Sequence, residues 1–256
     1  MVKKPSKFIW YELMTGDVDA ATKFYGAVIG WTVQSSGQPG MDYRLWSIGD
    51  EAVGGLMAIS ADATTQGMRP VWLGYLNVAN VDQSIAQLVA AGGAVCMQAT
   101  DIPNIGRIAM VTDPQGAAIY IMAPIGVGES PAFAPGRPGH GAWHELHTSD
   151  WQAAFAFYGT QFGWTKSQAM DMGPMGIYQL FNAGGDAIGG MMNSPNFPKP
   201  MWLYYFNVED INAGKARVQD AGGTILFGPA EVPGGWIVQA RDTQGAMFAL
   251  FGPGKA

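Results

Sequence analysis

The chain has 256 residues, enough for two domains of ordinary size, and 48% of them are hydrophobic, ample for packed cores. Charged residues make up only 13%, 36 Gly and 16 Pro imply many turns, and a net charge of −6 without a basic stripe argues against binding through nucleic-acid phosphates. No signal-peptide core or membrane span follows the opening MVKKPSK, since Glu12, Gly16 and Asp17 interrupt the apolar run, and the single Cys96 forms no intrachain disulfide; a cytoplasmic protein is expected.

The first predicted element is the strand FIWYELM (8–14). Alternation places Trp10, Glu12 and Met14 on one face and Ile9, Tyr11 and Leu13 on the other, so a carboxylate stands between a Trp and a Met. Asp17 then sits where a helix N-cap belongs, and the run to Trp31 carries Ala21, Phe24 and Val28 at helical spacing toward a core. Three short strands punctuated by glycines follow. The strand WLGYLNV (72–78) feeds the helix VDQSIAQLVAAGG (81–93), which Gly92 and Gly93 stop. Cys96 reads as a small buried residue in the strand AVCMQ (94–98), and further strands end at Met122. The stretch 123–142 is rich in Pro and Gly, lacks either hydrophobic period and reads as a linker.

Beyond the linker the same order returns. YELMTGDVDAATKFYGAVIGW (11–31) aligns without gaps on HELHTSDWQAAFAFYGTQFGW (144–164), and YRLWSIGDEAVGGLM (43–57) matches YQLFNAGGDAIGGMM (178–192). RPVWLGYLNV (69–78) matches KPMWLYYFNV (199–208), and TDPQGAAIYIM (112–122) returns as RDTQGAMFALF (241–251). The chain is therefore a tandem duplication, with domains over 7–124 and 141–254 and a linker over 125–140. Asp150 caps the first helix of the second copy, whose Ala154, Phe157 and Phe162 face a core. Each domain reads as β-α-β-β-β written twice. The expected class is α+β: four modules forming two cupped, mostly antiparallel eight-stranded sheets with helices on the outer face.

A strand followed by Asp and FYGAVIGW, a strand feeding a helix that ends AAGG, and a final DPQG before the last strand together resemble the vicinal oxygen chelate superfamily. That superfamily holds lactoylglutathione lyase, bleomycin-resistance proteins and extradiol dioxygenases, and the chain is most similar to its tandem-domain glyoxalase-like branch. The resemblance covers nearly the whole chain twice. It implies a divalent metal held by His, Glu or Gln side chains from four strands of the inward face, with one position open to vicinal substrate oxygens. Carried over one at a time, the ligand positions fall on Trp10 and Trp143, Gly55 and Gly190, Leu73 and Leu203, and Tyr120 and Ala249. Apart from the Tyr120 phenol, none of these side chains ligates zinc, nickel or iron in the usual way. No metal and no other cofactor is expected. A register shift of two residues would put Glu12 and Glu145 at the first-strand positions, still with one carboxylate per cup.

Glu12 is then expected to point into one cup between Trp10 and Met14, and Glu145 into the other between Trp143 and His147. A carboxylate in an apolar cavity is costly unless paired, its pKa tends to rise, and such groups often serve chemistry. Two readings stay open: polar anchors or general bases, with His147 sharing a proton with Glu145, or structural groups that accept from a Trp indole or a Tyr hydroxyl across the sheet or tie the two domains together. The histidines predict no zinc site, because His144 and His147 have opposite strand parity and His140 lies in the linker. No Ser-His-Asp or Cys-His arrangement is evident.

The strand aromatics also have two readings. Trp10, Trp143, Tyr43, Tyr178, Trp72, Trp202, Tyr75, Tyr205 and Tyr120, with Trp46 and Trp236, either fill cores or line pockets able to stack a flat or apolar ligand. Asn77 and Asn207 either anchor that ligand or close strand ends. Phe24, Tyr25, Phe157 and Tyr158 belong to helix packing, and the Gly pairs 54–55 and 189–190 to tight strand packing or a bulge.

The expected function is that of a small-molecule-binding protein or a metal-independent enzyme, with Glu12, Glu145 and His147 as catalytic candidates. The alternatives are a metal-dependent lyase or dioxygenase with unusual ligands, or a drug-sequestering resistance protein whose acidity suits a cationic ligand. The expected partner is a small molecule, with neither nucleic acid nor membrane. Internally paired domains in a monomer, or a homodimer, both remain open.

Overall fold

The structure is a computed structural model that describes residues 4–254 except 39, 127, 196 and 198, so the first three residues of the basic opening lie outside the described residues. The first copy runs β1 (Phe8–Thr15), α1 (Val18–Ile29), β2 (Thr32–Ser35), β3 (Tyr43–Ile48), β4 (Glu51–Ala58) and a short α2 (Ala61–Thr65). It continues with β5 (Val71–Asn77), α3 (Val81–Ala90), β6 (Ala94–Ile102), β7 (Gly106–Thr112) and β8 (Ala118–Pro124). The second copy opens with β9 (Gly141–Thr148), α4 (Trp151–Phe162), β10 (Thr165–Asp171), β11 (Ile177–Asn182) and β12 (Ala187–Asn193). It closes with β13 (Met201–Asn207), α5 (Ile211–Asp220), β14 (Thr224–Val232), β15 (Gly235–Arg241) and β16 (Met247–Gly252). The β-α-β-β-β order thus occurs four times, and α2 and a single helical turn at Gly173–Met175 are additions that no sequence period announces.

Each copy builds one eight-stranded mixed sheet, ordered β2-β3-β4-β1-β5-β8-β7-β6 and β10-β11-β12-β9-β13-β16-β15-β14. β1 runs parallel to β4 and β5 to β8, whereas the hairpins are antiparallel, and the second sheet repeats this pattern.

The helices begin where the sequence places their caps. Asp17 accepts from the Ala20 N–H at 2.9 Å and Asp150 from the Ala153 N–H at 3.0 Å, each cap contributing about 1 kcal/mol. Gly30 and Gly163 end the same helices in the left-handed conformation, at φ 92° and 72°, which a side chain would strain.

Compactness groups the chain into two units, each drawing on both copies. One holds Trp10–Leu73, Ser130–Trp143 and Tyr204–Ala256; the other holds the chain up to Ile9, Gly74–Glu129 and His144–Leu203. Within the first unit α1 packs on α5, and the DTQG turn reaches the helix cap: the Asp17 N–H donates to Gln244 Oε1 at 2.7 Å, and Gln244 Nε2 donates to the Asp17 carbonyl at 2.8 Å. Within the second unit α3 packs on α4, and Gln115 of DPQG clasps Asp150 by the same pair of bonds, both 2.8 Å.

Each unit has an aromatic core built on one plan. Tyr25, Trp31, Trp46 and Trp72 pack at centroid separations from 5.2 to 6.5 Å, and in the other unit Tyr158, Trp164, Phe181 and Trp202 pack at 4.4 to 6.0 Å. The buried Tyr25 hydroxyl accepts from the Trp72 indole at 2.8 Å and donates to Asp242 Oδ2 at 3.0 Å. Tyr158 accepts from Trp202 at 3.0 Å and donates to Asp113 Oδ2 at 3.2 Å. Burial pushes both Asp carboxyls above the usual range, while the hydrogen bonds they accept from turn amides and tyrosines oppose it. Ala21, Phe24, Val28, Ala154, Phe157 and Phe162 are buried as their spacing predicts. Cys96 corrects the reading of a buried thiol: it is exposed on β6, the last strand of its sheet.

Candidate functional site

The core side of β1 is fixed by Tyr11, which meets Tyr204 and Phe206 edge-on at 5.5 and 5.6 Å. Alternation therefore turns Trp10, Glu12 and Met14 to the opposite face. Register sets Glu12 beside Gly55 of β4, and a Cβ on Gly55 would collide with the Tyr43 ring, so the missing side chain admits that tyrosine. Tyr43 Oη accepts the Trp10 indole N–H at 2.9 Å. Glu12 is buried, while Trp10 and Tyr43 are half-buried.

The second copy starts from the same geometry and adds polar groups. Glu145 lies beside Gly190 of β12, and the Tyr178 ring fills the space above that glycine. The Tyr178 hydroxyl donates to Glu145 Oε2 at 2.9 Å. Glu145 Oε1 stands 2.8 Å from His147 Nε2, an ion-pair distance at an angle that does not form a hydrogen bond. On its other side His147 Nδ1 lies 2.7 Å from Ser194 Oγ, and the imidazole stacks on Phe197 at 4.0 Å and 10°. A carboxylate beside Nε2 favours the proton on that nitrogen, which leaves Nδ1 to accept from the serine hydroxyl. Glu145 and His147 are 7% and 4% exposed, whereas Tyr178 and Ser194 are half-buried.

Ser194 corrects the expectation that no serine-histidine-carboxylate arrangement exists. It stands 47 residues from His147 in sequence, and only the parallel pairing of β9 with β12 brings the two together. The first copy lacks the pair. Ile59 N–H donates to the Thr15 carbonyl at 2.8 Å as Ser194 N–H donates to Thr148 at 2.9 Å, so Ile59 is the counterpart of Ser194, and Met14 that of His147. Comparison of the copies carries the signal, because both positions change from apolar to polar.

Other predicted residues lie elsewhere. Trp72, Trp202 and Trp46 are in the aromatic cores, on the face away from Glu12 and Glu145, so they are corrected from pocket walls to packing. Tyr75 and Tyr120 are register partners stacked at 4.3 Å, both buried, and buried Tyr205 accepts from Gln239 Nε2 at 2.8 Å. Trp143 on β9 and Trp236 on β15 are half-buried. Asn77 accepts from the Lys7 N–H at 2.6 Å. Buried Asn207 accepts from the Gly136 N–H at 3.1 Å and donates to the Ala134 and His140 carbonyls at 3.3 and 3.0 Å. Both asparagines thus hydrogen-bond backbone groups at strand ends. His140 is held at the Pro131 carbonyl. His144 stacks on Phe8 at 3.7 Å and donates from Nδ1 to the Ile188 carbonyl at 2.6 Å; burial drives its pKa down to about 3.

Among the described residues no three or more His, Cys, Asp or Glu side chains gather as a metal site would require, and no helix is long and apolar enough to cross a membrane. The profile of the Glyoxalase/Bleomycin resistance protein/Dioxygenase superfamily matches residues 7–121 and 140–250. Over 249 residues the chain is 34% identical to "Putative glyoxylase CFP32" of Mycobacterium tuberculosis, covering 95% of this chain and 94% of that protein. It is 28% identical over 260 residues to "Anthracycline biosynthesis protein DnrV" of Streptomyces peucetius, covering 96% and 93%. Among solved structures, the 2,3-dioxygenase LapB from Pseudomonas sp. KL28 superposes with a TM-score of 0.68 at 13% identity, covering 100% of this chain and 94% of that one. The Mn(II)-bound glyoxalase from Novosphingobium aromaticivorans gives 0.66 at 16%, covering 98% and 83%. At such identities these likenesses show the fold alone.

Proposed function

We propose that this chain, which belongs to the Glyoxalase/Bleomycin resistance protein/Dioxygenase superfamily, binds a small apolar or aromatic molecule and handles it with its own acid–base groups in place of the superfamily's metal ion. The observation that carries this reading is the tyrosine beside Glu145. Where the resemblance places a metal ligand, Gly190 instead admits the Tyr178 ring, whose hydroxyl occupies Glu145 Oε2. His147 offers no substitute ligand, because its two nitrogens face Glu145 and Ser194. One carboxylate and one engaged imidazole do not fit a divalent ion that needs three or four converging donors.

The group suits proton exchange. Tyr178 hydrogen-bonds Glu145 and His147 lies 2.8 Å from the same carboxylate, so three proton-carrying groups adjoin, and the half-buried phenol is partly open to a ligand. A ligand hydroxyl or carbonyl meeting Tyr178 Oη would be oriented by it, with the buried carboxylate holding the phenol in place. In the first copy Trp10 and Tyr43, joined by one hydrogen bond, offer ring surface beside Glu12 without a histidine, which suits binding alone. The relative named for anthracycline biosynthesis supports a flat aromatic ligand.

A thermal-shift screen of flat apolar and cationic compounds on the wild type, Glu12→Gln and Glu145→Gln tests this. A ligand-induced rise in Tm that shrinks in Glu145→Gln is expected. Equal responses in all three proteins would remove the glutamates from the account.

A further inference from the structure

We propose that Ser194 is a nucleophile for acyl transfer, activated by His147 and oriented through Glu145. This goes beyond ligand binding, which requires no covalent step. His147 is 4% exposed, lies flat on Phe197 and has one nitrogen at Glu145 and the other at Ser194, so the imidazole itself cannot meet a substrate. Its chemistry reaches a ligand only through the half-buried ends of the chain of contacts, and on the imidazole side that end is Ser194 Oγ.

The arrangement has the parts an activated serine needs. The hydroxyl lies 2.7 Å from Nδ1, within the range for a nucleophile and its base, and a buried carboxylate 2.8 Å from the other nitrogen favours the tautomer in which Nδ1 accepts. The off-line angle at Nε2 belongs to a resting site; such contacts tighten when a substrate is bound. Pairing of β9 with β12 makes the relay, and the first copy has Met14 and Ile59 at the two positions, so the chemistry is confined to the second.

The substrate class is a small ester or thioester. Ser194 Oγ bonds to the acyl carbon while its proton passes to His147 Nδ1, and the imidazolium is stabilised by Glu145. The bond to the leaving oxygen or sulfur then breaks, and the leaving group takes the proton from Nδ1. Water repeats the two steps on the acyl-serine, releasing a carboxylic acid and restoring the hydroxyl.

A fluorophosphonate probe, with adducts located by peptide mass spectrometry, and p-nitrophenyl acetate turnover form the test. A single adduct on Ser194 is expected in the wild type, absent in Ser194→Ala, and forming roughly 100-fold more slowly in His147→Met, the residue of the first copy, as loss of a general base implies. Should those variants fold poorly, Ser194→Cys is to react with iodoacetamide faster than Cys96, and to lose that advantage when His147→Gln is added. No adduct on Ser194 in the folded wild type, or a labelling rate unchanged in His147→Met, would overturn the proposal. A ligand-induced thermal shift that persists without any adduct overturns it while leaving the ligand-binding reading intact.

Discussion

A methyl group added at position 190 tests why a glycine stands beside Glu145. In Gly190→Ala the new Cβ would lie 2.5 Å from Tyr178 Oη and nearer still to Cζ and Cε1, where ordinary contact begins at 3.4 Å, so the hydroxyl has to withdraw by about 0.9 Å. The 2.9 Å bond to Glu145 does not survive such a move. Loss of a hydrogen bond to a carboxylate, together with crowding of a half-buried ring, predicts a cost of about 1.5–3 kcal/mol. Urea unfolding of the wild type, Gly190→Ala, Tyr178→Ala and the double variant measures it as a cycle. With the ring gone the alanine should cost less than about 0.5 kcal/mol, because the two changes share one contact. Gly189→Ala is the control: its Cβ would meet the His144 carbonyl and the Phe181 ring, so its cost should not depend on Tyr178. An equal cost for Gly190→Ala in both backgrounds would refute the idea that the glycine exists to seat the tyrosine.

Other outcomes follow from the cores and the surface. Tyr158→Phe removes the acceptor of the buried Trp202 indole and one donor to Asp113, and should cost about 2–4 kcal/mol in urea unfolding, with Tyr25→Phe doing the same to Trp72 and Asp242. His144 has a folded pKa of about 3 against an ordinary 6.5, so its contribution is complete above about 6.5 and is lost as pH falls toward 3. Relative to His144→Phe, the wild type should lose up to about 1.4 kcal/mol per pH unit across that window; a flat difference would show the imidazole is not held neutral by burial. Exposed Cys96 should react with Ellman's reagent in the folded protein, one thiol per chain, without denaturant.

The fold was legible because the duplication prints each signal twice. Asp17 and Asp150 cap, Gly92 and Gly93 stop a helix as the DAGG of 220–223 does in the second copy, and a period of two along β1 separates Tyr11 and Leu13 from Glu12 without ambiguity. The direction of Trp72 and Trp202 was not legible, since WLGYLN and WLYYFN are apolar on both faces and alternation then gives no sign of which face meets the helices. Cys96 misled for a related reason: β6 is an edge strand, where apolar residues also face solvent. Glu145 could be read as an acceptor for a cross-strand tyrosine, but Ser194 could not be read at all, because its partner is set by parallel register across 47 residues.

The proposal that acid–base groups stand in place of a metal ion is tested most directly by the affinity for a flat aromatic ligand, measured by calorimetry before and after dialysis against EDTA. It predicts the same affinity after chelation and a weakened one in Glu145→Gln. Binding that disappears with EDTA and returns with one equivalent of a transition ion would contradict it.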